Sequence, residues 1–170
     1  MTRHGNSAPS DDRAAVRGLP PLYFVLPLAI ALALQLLVLP LPFSLPTIGA
    51  ARGGILRVCA GALIGLAGIL LFGLTVRAHK RSGNDPHPTT PTVSLITSGP
   101  YRFSRHPGYL GFALAQTGIA VAVGSVWALG SVIVSLLLAH YLAALPEEAY
   151  LERKFGERYR EYEGMVRRWI

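Results

Sequence analysis

Three long stretches of this chain contain no charged residue, and this feature constrains the fold more than any other. No Asp, Glu, Lys or Arg occurs at positions 18–51, 58–76 or 106–146. A helix that crosses the hydrocarbon core of a bilayer needs roughly 20 apolar residues. Only 15% of all residues are charged, whereas soluble domains contain roughly 25%. The sequence therefore predicts an all-α integral membrane protein.

Turn-forming residues divide the apolar sequence into about four transmembrane helices. Prolines and glycines separate the first two spans. Gly124 and Ser125 split the last apolar stretch, which is too long for one span, into a helical hairpin. The predicted spans cover residues 22–41, 55–76, 109–123 and 126–145. We expect Gln35, inside the first span, to bond a neighbouring helix.

Small residues recur at helical spacing on two of the predicted spans. Gly61, Gly65 and Gly68 lie on the second span. The third span carries Gly111, Ala115, Gly118 and Ala122. Small side chains let two helix backbones approach closely within a membrane. We therefore expect these faces to be packing surfaces.

Polar segments complete the predicted architecture. Residues 1–18 form a mobile N-terminal tail, and residues 19–170 form a single membrane domain with a polar loop at 77–107. Pro146 is well placed to begin a new helix over residues 146–168. Apolar and aromatic side chains recur in that helix every three or four residues. This pattern predicts an amphipathic helix on the cytoplasmic surface.

The basic residues lie beside the predicted spans rather than in one patch. The net charge is +7, and nearly all Lys and Arg fall in the tail, the 77–107 loop and the C-terminal helix. Such a bias places these segments in the cytoplasm of a multi-pass protein of the cell membrane, with both termini inside. The expected partner is the lipid bilayer, and no nucleic-acid partner is expected.

Metal binding has little support in the sequence. A single cysteine, Cys59, excludes an internal disulfide and a cysteine-based zinc cluster. His79, Asp85 and His87 share the polar loop region without the spacing of zinc ligands. We expect no metal site.

Side chains that could bind a ligand or take part in catalysis are concentrated where the loop meets the third span. Residues 94–111 combine tyrosines, arginines and a histidine with three glycines. Aromatic and basic side chains at this depth are typical of an interfacial anchor. The same density of rings beside glycine backbone also suits a small ligand. Composition alone leaves both interpretations open.

Two motifs in this region and at the C-terminus carry a family resemblance. Leu95-Ile96-Thr97-Ser98-Gly99-Pro100-Tyr101, followed by Arg105-His106-Pro107-x-Tyr109-x-Gly111, resembles the signature of the isoprenylcysteine carboxyl methyltransferase family, which is related to the membrane phospholipid methyltransferases. Glu147-Glu148 and Phe155-Gly156-Glu157-x-Tyr159-x-x-Tyr162 are similar to that family's C-terminal segment. The resemblance covers about Ser94 to Trp169.

The resemblance implies an S-adenosylmethionine site built from the loop, the span ends and the C-terminal helix. The implied cofactor-binding residues are Val93, Ser94, Leu95, Ile96, Tyr101, His106, Pro107, Gly108, Tyr109 and Glu147. Tyrosine faces and a carboxylate suit the sulfonium cation of this cofactor. Within the C-terminal helix we expect Glu147 to turn inward and Glu148 to lie about 100° further around.

The predicted catalytic residues are His106, Glu148 and Arg105. An amine acceptor must lose a proton, which His106, Glu148 or His140 could accept, whereas a carboxylate acceptor needs no base. In eukaryotic members of the family an arginine is thought to hold the substrate carboxylate. Ala143 stands at that position here, so Arg102, Arg105 or Arg153 would have to replace it.

These observations predict an S-adenosylmethionine-dependent methyltransferase whose acceptor is a lipophilic small molecule or a prenylated substrate. Carboxyl O-methylation of an isoprenylcysteine-like substrate is the first hypothesis, and N-methylation of a phospholipid of the phosphatidylethanolamine type is the alternative. A non-catalytic membrane scaffold or small transporter is the second alternative. The acceptor is expected to arrive laterally, between the third and fourth spans.

Overall fold

The computed structural model of this protein describes residues 14–38, 50–85 and 90–170, which contain helices and no strand. The all-α prediction is confirmed. The helices are α1 (Leu22–Leu37), α2 (Ala50–Arg81), α3 (Pro107–Val123), α4 (Val126–Ala139), α5 (Leu145–Phe155) and α6 (Glu157–Met165). A 3-10 turn covers Gly99–Arg102, and a π-helical turn covers His140–Ala144.

Two helices in the described residues are long and apolar enough to cross a membrane. They are Gly54–Arg81 and Val126–Phe155, and the second includes the π-helical turn and α5. Helices α1 and α3 are apolar but have only 16 and 17 residues. At 1.5 Å per residue, a helix of that length extends roughly 25 Å, against roughly 30 Å of hydrocarbon. The four-span arrangement therefore remains a prediction.

The C-terminal helix does not begin at Pro146, contrary to prediction. Helix α4 continues through the π-helical turn into α5, and the Leu145 N–H donates to the carbonyl of His140. Proline has no N–H, so the carbonyl of Leu142 loses its normal helical donor. The backbone N–H of Arg17 donates to this carbonyl instead, at 3.1 Å. The end of the predicted tail is thereby fixed to the helix.

The C-terminal region is two helices and an extended segment, so the prediction of one helix over 146–168 is wrong. Gly156, with φ +56°, ends α5 and begins α6. A positive φ of this kind is accessible to glycine because it has no Cβ. After α6, residues 166–170 form a strap. Its backbone accepts hydrogen bonds from the N–H of Arg105 and the hydroxyl of Ser104, both at 3.1 Å.

The predicted hairpin between α3 and α4 is confirmed. Gly124 ends α3 in the left-handed conformation, with φ +71°. Ser125 then begins α4, and its Oγ accepts a hydrogen bond from the N–H of Ala128. The same hydroxyl donates to Oε1 of Gln35 on α1 at 3.1 Å. This bond confirms the expectation that Gln35 contacts a neighbouring helix.

The small-residue faces of α2 and α3 are packing surfaces, as predicted, and they pack directly against each other. A Cβ added to Gly61 would lie 2.5 Å from the carbonyl oxygen of Gly118. One added to Gly68 would lie 2.5 Å from the backbone nitrogen of Ala115. Only glycine allows backbones this close. The result is a tight α2–α3 pair.

Helix α3 packs against α2 on one side and α4 on the other, and α1 packs mainly against α4. Tyr23 and Phe24 of α1 share a buried cluster with Tyr109 and Ala113 of α3 and with Ala143 of the π-helical turn. This arrangement brings the start of α1, the end of α2, the start of α3 and the start of α5 to one end of the bundle.

Candidate active site

A cavity of about 520 Å³ lies at this end of the bundle. Small-molecule sites typically have volumes of about 300–1,000 Å³. The predicted site residues that line the cavity are Ser94, Leu95, Ile96, Tyr101, Arg105, His106, Gly108, Tyr109 and Glu147. Both sequence motifs therefore contribute to one cavity.

Three predicted site residues do not line the cavity. Val93 is 72% exposed, and Pro107 is fully buried at the start of α3. Glu148 is buried behind His106. The cavity wall includes residues of α1, α2 and α3 but none of α4. The cavity is thus not between the third and fourth spans, where acceptor access was expected.

Asn84, which the sequence analysis did not select, holds the loop segment that contributes Ser94 to Ile96. Its Oδ1 accepts hydrogen bonds from the N–H of Val93 at 2.7 Å and of Ser94 at 3.1 Å. Its Nδ2 donates to the carbonyl of Ser94 at 2.7 Å. Gly83 beside it has φ +70°, and a glycine after a helix is a sequence signal for a helix end. That signal predicts the turn but not the partner of Asn84.

His106 lies between two carboxylates. Its Nε2–H donates to Oε1 of Glu148 at 3.0 Å, and its Nδ1 is 3.5 Å from Oε2 of Glu147. Burial alone would lower the pKa of His106, but the two carboxylates raise it above its ordinary value. The ring is therefore best described as an imidazolium whose two nitrogens are both directed at protein carboxylates.

Glu148 is the centre of a buried ion cluster. Arg168 of the strap donates to its two carboxylate oxygens at 2.9 and 2.8 Å, a bidentate arrangement. Nη1 of Arg105 lies 3.5 Å from Oε1 of Glu148 and also bonds Glu163 and the hydroxyl of Tyr159. Three hydrogen bonds from protein donors thus reach the carboxylate of Glu148.

Glu147 faces the cavity. The hydroxyl of Tyr109 donates to its Oε1 at 2.5 Å. Glu148 is buried, and both acids meet His106 although successive helical positions lie about 100° apart. The physical reason is the strap, which covers the side of α5 that carries Glu148 and supplies Arg168 to it. The amphipathic pattern of a lone helix contains no information about such a cover.

The strap also explains the position of His140. The Trp169 ring lies 6.1 Å from the ring of His140 and 5.8 Å from that of His106. His140 does not line the cavity, so it is not placed to accept a proton from an acceptor there. Trp169 and Arg168 were missed as site residues because they stand in a basic C-terminal segment without a motif of their own.

Comparisons with known proteins identify a family for this chain. The chain matches the phospholipid methyltransferase family over residues 56–158. A probable protein-S-isoprenylcysteine O-methyltransferase of Oryza sativa subsp. indica is 40% identical over 70 residues, which is 40% of this chain and 36% of the rice protein. The protein-S-isoprenylcysteine O-methyltransferase of Schizosaccharomyces pombe is 34% identical over 74 residues, 42% of this chain and 30% of that protein.

A third relative is matched over nearly its whole length. An uncharacterized protein of Haemophilus influenzae is 37% identical over 62 residues, which is 36% of this chain and 98% of that protein. By contrast, the matches span only about a third of the two methyltransferases. No solved structure shows a significant match.

Proposed function

This chain belongs to the phospholipid methyltransferase family, and we propose from that premise that it is a membrane methyltransferase that uses S-adenosylmethionine and a lipid-like acceptor. The observation that carries the proposal is the shared cavity of the two motifs. His106 and Tyr109 reach it from the loop and α3, and Glu147 reaches it from α5. These residues, up to 41 positions apart in the chain, therefore line one cavity.

The cavity fits this cofactor in size and chemistry. Its wall combines the carboxylate of Glu147 with the rings of Tyr101 and Tyr109, groups that attract a cation in a site of low dielectric. When bound, S-adenosylmethionine supplies an electrophilic methyl group on its sulfonium. We propose that Glu147, Tyr101, Tyr109, Gly108 and the Ser94–Ile96 segment hold it. Val93 and Pro107 do not line the cavity, and their proposed role is to position the backbone of these neighbouring residues.

His106, Arg105 and Glu148 have a positioning role in this proposal. Both ring nitrogens of His106 face carboxylates, and the partners of Glu148 are Arg168, Arg105 and His106. None of the three is placed to exchange a proton with an acceptor. The cluster instead fixes the start of α3 against α5, and so fixes Tyr109 and Glu147 relative to each other.

The proposed acceptor is the carboxylate of an isoprenylcysteine-like molecule. The names of two relatives and the two motifs favour this acceptor. Methyl transfer to a carboxylate is a direct displacement that needs no general base. The contribution of the protein is then to hold donor and acceptor in line and to exclude water. The apolar part of the acceptor would lie along Phe72 and Phe112, which line the same cavity.

The amine of a phospholipid head group is a second candidate acceptor. Asp85 and Glu147 both line the cavity together with five tyrosines, Tyr101, Tyr109, Tyr150, Tyr159 and Tyr162. Acidic groups and aromatic faces favour a cationic head group. A methyl-transfer assay that offers both kinds of acceptor separates the two candidates.

We expect the purified protein to transfer a labelled methyl group from S-adenosylmethionine to a prenylcysteine analogue. The product should be a methyl ester, so its label should be released by mild base. Total membrane lipid serves as the parallel acceptor, and a base-stable label recovered in phosphatidylethanolamine derivatives would favour the amine instead. Absence of both labelled products, with no binding of S-adenosylhomocysteine, would contradict the proposed function.

We propose a four-span arrangement in which both termini and residues 77–107 face the cytoplasm. The loop and the C-terminal strap must lie on one side, because Arg105 and Ser104 bond the strap directly. Reporters inserted after Arg81 and fused after Ile170 should therefore show the same, cytoplasmic, location. A periplasmic or lumenal signal from either fusion would refute the arrangement.

A further inference from the structure

A carboxylate acceptor in this cavity needs a positively charged partner, since a buried charge without one is strongly disfavoured. This requirement rests on the proposed function. Ala143 cannot be the position of such a partner here. It is fully buried in the cluster with Tyr23 and Phe24 of α1, so a long basic side chain would displace that packing. The partner must come from elsewhere in the cavity wall.

Among the described residues, the basic side chains that line the cavity are His79, Arg105 and His106. The last two are held by protein carboxylates. His106 faces Glu147 and Glu148, and Arg105 bonds Glu163 and approaches Glu148. Redirecting either one toward a ligand would break the ion pairs that it makes with these carboxylates. His79 is the remaining basic group.

The contacts of His79 determine which ring nitrogen carries hydrogen. Its Nδ1 lies 3.0 Å from the carbonyl oxygen of Thr75, one turn earlier in α2. A carbonyl only accepts hydrogen bonds, so Nδ1 must be the donor. The hydroxyl of Tyr101 lies on the same side, 3.5 Å from Nδ1. No hydrogen bond to Nε2 occurs within the described part of the chain, and this nitrogen is left for a ligand.

The surroundings of His79 suit a cation with an apolar molecule below it. His79 lies in the last turn of the 32-residue helix α2, where the helix dipole favours positive charge. Phe72, Thr75 and Val76 line the cavity from the same face of α2, and Phe112 lines it from α3. A charged head group at His79 would therefore continue into an apolar path toward the centre of the bundle.

We propose that His79 is the residue that recognises the acceptor, by donating Nε2–H of its imidazolium to the acceptor carboxylate. The ligand class is an amphiphile with one carboxylate head group and a hydrocarbon chain. The bond to Thr75 orients the ring, and the charge of His79 replaces that of the basic residue absent at position 143. The methylated product has no negative charge, so the same contact weakens after transfer and favours product release.

The test compares a prenylcysteine analogue with its methyl ester, without cofactor, by isothermal titration of the detergent-solubilised protein. The parent should bind the acid more tightly than the ester by about tenfold to a hundredfold, as expected for a charge-assisted hydrogen bond. His79→Ala should abolish that preference while changing ester affinity by less than about twofold. His79→Arg should restore the preference. Lys80→Ala, an exposed neighbour in the same turn, should change neither affinity.

The pH dependence provides a second readout. The titratable or charged groups near His79 are Tyr101 beside Nδ1, Asp85, Glu147 and Tyr150 across the cavity, and Lys80 next to it in α2. Acid binding should weaken as pH rises, whereas ester binding should stay constant. His79→Arg should remove this dependence, because a guanidinium keeps its charge. Asp85→Asn tests the contribution of the cavity acid outside the cluster. Acid binding should depend on pH in this variant as it does in the parent.

Two results would overturn the proposal. The first is a His79→Ala variant that keeps its preference for the acid and still binds S-adenosylhomocysteine as the parent does. The proposed function would then stand without this residue. The other is methyl transfer that rises with pH in a His79-dependent way and yields a base-stable product. That result would make His79 the proton acceptor for an amine. If the parent protein itself does not bind S-adenosylhomocysteine, the proposed function is contradicted instead.

Discussion

Replacing Glu148 by glutamine should destabilise the folded protein more than any other single change of an acid in the site. The side chain is 8% exposed and contacts three positively charged groups, on His106, Arg105 and Arg168. Glutamine keeps the size of the side chain but removes its charge. Loss of one partner in a buried ion cluster typically costs about 3–5 kcal/mol, because the opposite charges stay buried. Unfolding titration in mild detergent measures this loss.

Two controls separate the ion cluster from a general effect of removing an acid. Glu152→Gln, on the same helix, removes an acid whose partner is the exposed Arg160, and it should cost less than about 1 kcal/mol. Arg167→Ala tests an exposed neighbour of Arg168 on the strap and should be similarly mild. If Glu148→Gln is as mild as these two variants, the cluster contributes little to stability and His106 is positioned by packing alone.

The ion cluster around Glu148 also predicts how the stability of the folded protein depends on pH. The pKa of His106 is raised in the folded protein because Glu147 and Glu148 outweigh the effect of burial. A raised folded-state pKa means that protonation favours folding. The stability contributed by His106 should be complete below the unfolded-state pKa, about 6.5, and should be lost as pH rises through the folded-state value. Glu148→Gln should reduce this alkaline loss, since it removes one cause of the shift.

Replacing Glu147 by glutamine should instead weaken cofactor binding, with a smaller effect on folding than Glu148→Gln. Glu147 lines the cavity, its side chain is 22% exposed, and its contacts are the uncharged hydroxyl of Tyr109 at 2.5 Å and the ring of His106 at 3.5 Å. A charge-assisted hydrogen bond to a ligand is worth about 1.5–3 kcal/mol, so the affinity for S-adenosylhomocysteine should fall about tenfold to a hundredfold. Isothermal titration measures the affinity.

Tyr109→Phe is the matched variant for this experiment. It removes the hydroxyl that orients Glu147 but keeps the carboxylate and the ring, so its loss of affinity should be smaller than that of Glu147→Gln. Glu152→Gln serves again as the control on the same helix. Parent-like affinity in Glu147→Gln would return Glu147 to a structural role and remove the main support for the cofactor site.

The sequence was sufficient for the features that depend on local pattern. Long uncharged stretches predicted helices, and a glycine followed by a serine predicted the turn between α3 and α4. Glycines at helical spacing predicted that two helix faces are packing surfaces, because only small residues allow close contact, but not that Gly61 would meet Gly118. Most of the residues that the two motifs predicted for the site likewise line the cavity. Each of these signals lies within about one helix length.

The remaining features depend on contacts between distant segments. The missing N–H of Pro146 is compensated by Arg17, and Glu148 is held by Arg168, neither of which lies in the same helix. Helical periodicity alone therefore did not predict the burial of Glu148 among basic partners. Asn84 and His79 likewise gained their contacts with the loop only when the end of α2 met it. Local pattern determined the helices of this protein, but the burial and charge of its site were decided by tertiary structure, because the environment of a polar side chain is set by whichever segment covers it.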